Sequence, residues 1–105
     1  MTRSLRRIQR GSYLFYKEIT DSATNTKVSV GAASTSVLAA NSDRIEFLLV
    51  NDSDEVIYIS LSGTAVMNEG IRLNKSGGSY INCSYVGKVT AICTSGSKNL
   101  TVSEQ

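Results

Sequence analysis

The chemistry this chain can do is bounded first by a residue it lacks. There is no histidine among its 105 residues. Serine and cysteine nucleophile sets that rely on an imidazole base are therefore excluded, along with imidazole acid–base catalysis and histidine-based metal centres. Cys83 and Cys93 are the only cysteines, and two thiols without histidine do not complete the usual zinc sets. Asp52, Asp54 and Glu55 crowd into one short polar stretch. Three carboxylates without the glycine and terminal glutamate of a helix–loop–helix calcium site fit a solvated turn better than a calcium ligand set. Gly77-Gly78 lies between strand-like segments, and neither of the glycine-rich phosphate-binding patterns occurs. The triplets beginning at Asn51, Asn82 and Asn99 match the glycosylation pattern, but without a secretion signal they are chance matches. The sequence thus predicts no catalytic residue, no metal site and no cofactor.

The remaining groups with chemical potential lie at the N-terminus. Arg3, Arg6, Arg7 and Arg10 put four positive charges into the first ten residues with no acid among them. The following 95 residues carry seven Lys/Arg against nine Asp/Glu, so a basic segment precedes a slightly acidic body. Tyr13, Phe15 and Tyr16 follow the arginines directly. Arginine next to tyrosine and phenylalanine is the composition of protein-interface anchors. It is also that of a single-strand nucleic-acid binder, in which aromatics stack on bases. Protein contact is favoured, because the body offers no basic face to continue a nucleic-acid track. A solvated, frayed terminus is the plain alternative. The candidate partner-binding residues are accordingly Arg3, Arg6, Arg7, Arg10, Tyr13, Phe15 and Tyr16.

The elements that must position this segment read as strands. RIEFLLV and VIYISL (residues 44–50 and 56–61) alternate apolar and polar residues on either side of NDSDE. This predicts a β-hairpin whose Ile45, Phe47 and Leu49 join Ile57, Ile59 and Leu61 in one buried face. Short strands are also predicted at 27–31, 35–40, 70–73, 79–83, 86–94 and 99–103. Asn74–Gly78 and Ser95–Ser97 read as hairpin turns, because glycine and asparagine tolerate positive φ. About eight short strands with turns every eight to twelve residues predict an all-β antiparallel sandwich. Its expected core comprises Val37, Ile45, Phe47, Leu49, Ile57, Ile59, Leu61, Ile81, Val89, Ala91, Leu100 and Val102. Cys83 and Cys93 share parity with Ile81 and with Val89 and Ala91, which predicts buried free thiols. A disulfide between them stays open if their strands are neighbours. The chain divides into an extended basic and aromatic arm at 1–26 and a sandwich at 27–105, with Asp21–Thr26 as a polar hinge. An apolar fraction of 41% suffices for one core, and no apolar run is long enough to span a bilayer. The segment after the arginines is too short and too polar for a signal-peptide core, so synthesis in a cytoplasm is expected.

Residues 28–104 resemble a group of small β-sandwich proteins found in the structural gene modules of tailed bacteriophages and prophages. The likeness rests on Ala32–Asn41, on Asn51–Ser53 before a VIY-type strand, on Gly77–Tyr80 and on Tyr85–Val89. It implies a virion component made in the bacterial host cytoplasm: a capsid decoration or minor head protein, or a neck or tail accessory protein. The implied partners are other virion proteins (capsid, neck or tail subunits) and further copies of the chain, with neither nucleic acid nor membrane among them. A sandwich that grips cell-surface carbohydrate is the alternative, weakened by the absence of tryptophan, the flat aromatic platform such sites often use.

Overall fold

A computed structural model of the protein describes residues 3–10 and 13–105, with side chains described from residue 20 onward. Ten strands are present: β1 (Arg3–Arg10), β2 (Tyr13–Thr20), β3 (Thr24–Val30), β4 (Thr35–Leu38), β5 (Phe47–Asn51), β6 (Ile57–Ser60), β7 (Ile71–Leu73), β8 (Ser79–Asn82), β9 (Val89–Cys93) and β10 (Lys98–Glu104). β1 and β2 pair only with each other. The other eight form two four-stranded antiparallel sheets, in the orders β3-β10-β5-β8 and β4-β9-β6-β7. The expected all-β sandwich is what the chain adopts. No helix occurs among the described residues, so none is long and apolar enough to cross a membrane.

The connectivity differs from a set of hairpins. Of the seven links between β3 and β10, only the one from β6 to β7 stays within a sheet, and the others cross from one sheet to the other. Eight strands in two sheets wound this way make a jelly roll. The expected hairpin at residues 44–61 is therefore an arch: β5 lies in one sheet and β6 in the other. The apolar stripes assigned to these strands are correct, but they face each other across the core instead of lying side by side. The turns at 74–78 and 95–97 are likewise arches. Alternation tells a strand which face to bury, and it is silent on which strand lies beside it.

Asn51 shows how one arch is held. Its side chain is fully buried at the end of β5. Its Nδ2 donates to the carbonyls of Glu55 at 2.6 Å and Leu73 at 3.0 Å, and its Oδ1 accepts from the Ser53 hydroxyl at 2.6 Å. All of its polar capacity goes to turning the chain toward the opposite sheet, so burial leaves nothing unpaired. A residue that reads in the sequence as turn punctuation is thus the keystone of a crossing.

The core contains Val30, Val37, Phe47, Leu49, Ile57, Ile59, Leu73, Val89, Ala91, Cys93, Leu100 and Val102. Most of the expected core positions are among them, and Ile45 and Leu61 are half-buried. Ile81 is not in the core. The register sets Leu49 opposite Tyr80 and Leu48 opposite Ile81. With Leu49 inside, Tyr80 must point in and Ile81 out. The Tyr80 ring packs on Phe47 with centroids 6.1 Å apart, while Ile81 is 58% exposed. Cys83 follows the outward parity and is exposed, whereas Cys93 is buried and gives its thiol hydrogen to the Val30 carbonyl at 3.3 Å. The expectation of two buried thiols holds only for Cys93, and both are free. The same alternation error accounts for Ile81 and Cys83: a tyrosine with a polar tip took the inside position and its aliphatic neighbour the outside one.

Candidate assembly surface

β9 is buried on both faces, although only one of them meets the core. The cause is the 61–70 loop, which lies against the outer side of the β4-β9-β6-β7 sheet. The Thr90 hydroxyl donates to the Gly63 carbonyl at 3.0 Å, and the Ala65 amide donates to the Ser34 hydroxyl at 2.9 Å. Ala65 is itself buried there. The loop returns through Gly70, at φ 84°, where a Cβ would collide with the Ile59 carbonyl; only glycine fits. The loop thereby covers Thr90 on this outer face, while Ser36 and Arg72 on the same face stay exposed. The other outer face carries Leu48 and Val50 beside Thr101 and Ser103, in a shallow groove of about 310 Å³.

At the end of the sandwich where β3 begins, Arg44 is almost wholly buried. Its Nε donates to Glu104 Oε2 at 2.8 Å, Nη1 to the carbonyls of Tyr85 (3.1 Å) and Gly87 (3.0 Å), and Nη2 to the Ala39 carbonyl at 2.7 Å. The guanidinium carbon lies 5.3 Å from the centre of the Phe47 ring, within cation–π range. One fork thus ties together the 39–46 loop, the 83–88 loop and the end of β10. Glu104 is the register partner of Thr24, the first residue of β3. The clamp therefore braces the point where the N-terminal segment joins the sandwich. Nothing in the sequence distinguished Arg44 from a surface cation; its only signal is its place just before an apolar strand.

β3 also begins within the polar stretch read as a hinge, because Thr24, Asn25 and Thr26 pair with Glu104, Ser103 and Val102. Before it, β1 and β2 pair from Arg3 opposite Thr20 to Arg10 opposite Tyr13. The segment expected to be a single extended arm is folded back on itself as a two-stranded ribbon. Gly11-Ser12 between two strand-length runs is the hairpin signal that the sequence offered for this. The register sets Ile8 opposite Phe15, Arg7 opposite Tyr16 and Arg6 opposite Lys17. The side chains of the candidate partner-binding residues, Arg3 to Tyr16, lie outside the described residues. What the backbone does bring together is those residues, in one ribbon separate from both sheets.

At the opposite end of the sandwich, Asp54 accepts from Lys98 Nζ at 2.7 Å and Glu55 stands 3.9 Å from the same ammonium. Both Glu55 carboxylate oxygens are engaged by Ser95, through its amide and its hydroxyl. Asp52 accepts from Asn99 at 3.3 Å. The Lys98 hydrogen bond holds the Asp54 carboxyl below its ordinary value, and the same bond raises Lys98 above its own. These acids are spent on the arches, and no group of three or more histidine, cysteine, aspartate or glutamate residues among the described residues could hold a metal ion.

No protein-family model matches this chain, and no curated protein matches it. Among solved structures it is similar to one described in the words "Bacillus endospore appendages form a novel family of disulfide-linked pili", with a TM-score of 0.53 and 10% identity over 99% of this chain and 88% of that one. At that identity the likeness speaks for the fold, and it supports a two-sheet all-β domain.

Proposed function

We infer that this protein is a structural assembly subunit and that it catalyses nothing. The finer assignment is a bacteriophage virion protein, a capsid decoration or minor head protein. It would bind neighbouring capsid, neck or tail subunits through its N-terminal segment and its sheet edges.

The ribbon carries this reading. An isolated two-stranded hairpin is marginal in water, and this one sets Arg6 directly opposite Lys17, a like-charged pair that weakens it further. Such an element gains its stability from a partner that supplies an acidic or apolar complement. The sandwich is a rigid platform for it, with Arg44 holding the junction. Phe15 and Tyr16 supply most of the contact energy and the arginines fix orientation.

The resemblance to phage structural modules favours the virion. The fold likeness to a pilus protein favours a second reading, in which copies of the chain polymerise into a surface filament. One experiment separates them. The full chain and a variant lacking residues 2–20 are purified, examined for filaments by electron microscopy, and compared for incorporation into phage particles located by cryo-microscopy. Incorporation that is lost with the deletion, at an unchanged thermal midpoint, supports the virion reading. Filaments without particles support the second. A monomer that enters neither assembly overturns both.

A further inference from the structure

The sandwich has four open strand edges: β3 and β8 on one sheet, β4 and β7 on the other. An open edge is a template for strand addition, and proteins blunt such edges with charge, irregularity or shortness. Three of the four are blunted. β3 carries exposed Lys27 at its centre. β4 has a register break between Ser36 and Leu38. β7 is three residues long with exposed Arg72 in the middle. β8, Ser-Tyr-Ile-Asn, has no charge, no bulge and no proline, and it holds the most exposed of the large apolar side chains described, Ile81 at 58%.

The hydrogen-bond alternation shows which groups β8 offers. The Asn51 amide donates to the Gly78 carbonyl at 2.7 Å, so Asn51 and Gly78 occupy a bonded position of the β5–β8 ladder. Alternation in steps of two makes Leu49/Tyr80 and Phe47/Asn82 bonded and leaves Leu48/Ile81 and Val50/Ser79 non-bonded. The amides and carbonyls of Ser79 and Ile81 therefore point away from β5, toward the open side.

We propose that β8 pairs antiparallel with β8 of a second copy about a two-fold axis at Ile81, joining the two β3-β10-β5-β8 sheets into one of eight strands. A head-to-tail contact needs two different bare edges, and the sandwich has one. A two-fold contact uses the same edge twice. With Ile81 on the axis, each Ile81 exchanges its two backbone hydrogen bonds with its mate, each Tyr80 lies opposite Asn82 of the other copy, and the same register brings each Ser79 level with Cys83, the first residue after β8. Leu48 and Ile81 are same-face neighbours, so the pairing runs one apolar stripe through both copies. Two four-residue edges bury less than the roughly 1,200 Å² typical of a stable free interface. The dimer is thus a contact of concentrated or assembled protein. The proposal rests on the assembly reading in taking the partner to be another copy.

The test uses the full chain in reducing buffer. Sedimentation over a concentration series should show a monomer–dimer equilibrium, and amide exchange at Ser79 and Ile81 should slow as concentration rises. Ile81→Lys places like charges on the axis and should raise the dimer dissociation constant by at least about tenfold. Its thermal midpoint should not change, because the side chain is outside the core. Exchange at these amides that does not depend on concentration overturns the proposal. So does association to which Ile81→Lys is indifferent, an outcome that leaves the assembly reading standing. A chain that stays monomeric at millimolar concentration yet enters particles or filaments overturns the β8 contact alone.

Discussion

Replacing Arg44 by alanine is the sharpest perturbation of the sandwich, because it removes one side chain and strands four acceptors. Those acceptors are the Glu104 carboxylate and the carbonyls of Ala39, Tyr85 and Gly87, all within 2.7–3.1 Å of the guanidinium. Leaving a buried acceptor unpaired costs about 1 kcal/mol or more, and breaking a buried ion pair from one side about 3–5 kcal/mol. Glu104 keeps 20% of its side-chain surface in water, so rehydration recovers part of its loss. The Phe47 ring loses its cationic cover, a further small cost. Arg44→Ala should therefore destabilise by about 3–5 kcal/mol, a large share of the roughly 5–15 kcal/mol a domain of this size holds. Urea unfolding followed by circular dichroism should show the midpoint falling with the slope unchanged, and the thermal midpoint should drop by about 12 °C or more. Arg44→Lys should fall between alanine and wild type, since an ammonium reaches fewer of the four acceptors. Glu104→Gln should cost only about 1 kcal/mol, because an amide oxygen still accepts from the guanidinium. A loss under about 1 kcal/mol for Arg44→Ala would show that the loops and the β10 end hold themselves together, and the clamp argument would fail.

The two thiols should behave oppositely. In native protein a thiol reagent should modify Cys83 at once and Cys93 only at the rate of unfolding; Cys83→Ser should be neutral within about 0.5 kcal/mol, and Cys93→Ser should cost about 1–2 kcal/mol. Equal labelling rates would contradict the assigned parity of β8. The Asp54–Lys98 bond predicts a pH dependence at both ends. Asp54 is lowered from its usual 3.8, so its contribution is present above that value and is lost as pH falls through the lower folded value. Lys98 is raised from 10.5, so its contribution is present below 10.5 and is lost as pH rises past it. Carboxyl NMR titration should show the Asp54 midpoint moving up toward its ordinary position in Lys98→Met, the backbone hydrogen bond and Lys75 still holding it down in part; an unmoved midpoint would mean the bond does not form in solution.

Alternation of apolar and polar residues and the glycine-bearing turns were sufficient to read this chain as a small all-β sandwich. Phe47, Leu49, Ile57 and Ile59 were legible as core because a two-residue period assigns faces locally. The jelly-roll winding was not, because NDSDE, NKSGG and SGS turn the chain equally well within a sheet or between sheets. That choice is made by buried contacts far apart in sequence, such as Asn51 with Leu73 and Cys93 with Val30. Ile81 and Cys83 were misplaced for a related reason. In Ser-Tyr-Ile-Asn-Cys either parity can be the inner one, and only the register against β5, with Leu49 already committed to the core, decides for Tyr80. Arg44 looked like any surface arginine until the distant carbonyls of Tyr85 and Gly87 and the Glu104 carboxylate were folded around it. The basic and aromatic character of the first twenty residues is likewise a property of the sequence. Their pairing into a ribbon separate from the sheets, and the bare edge at β8, arise only in the fold, because an edge is defined by the strand that is missing beside it.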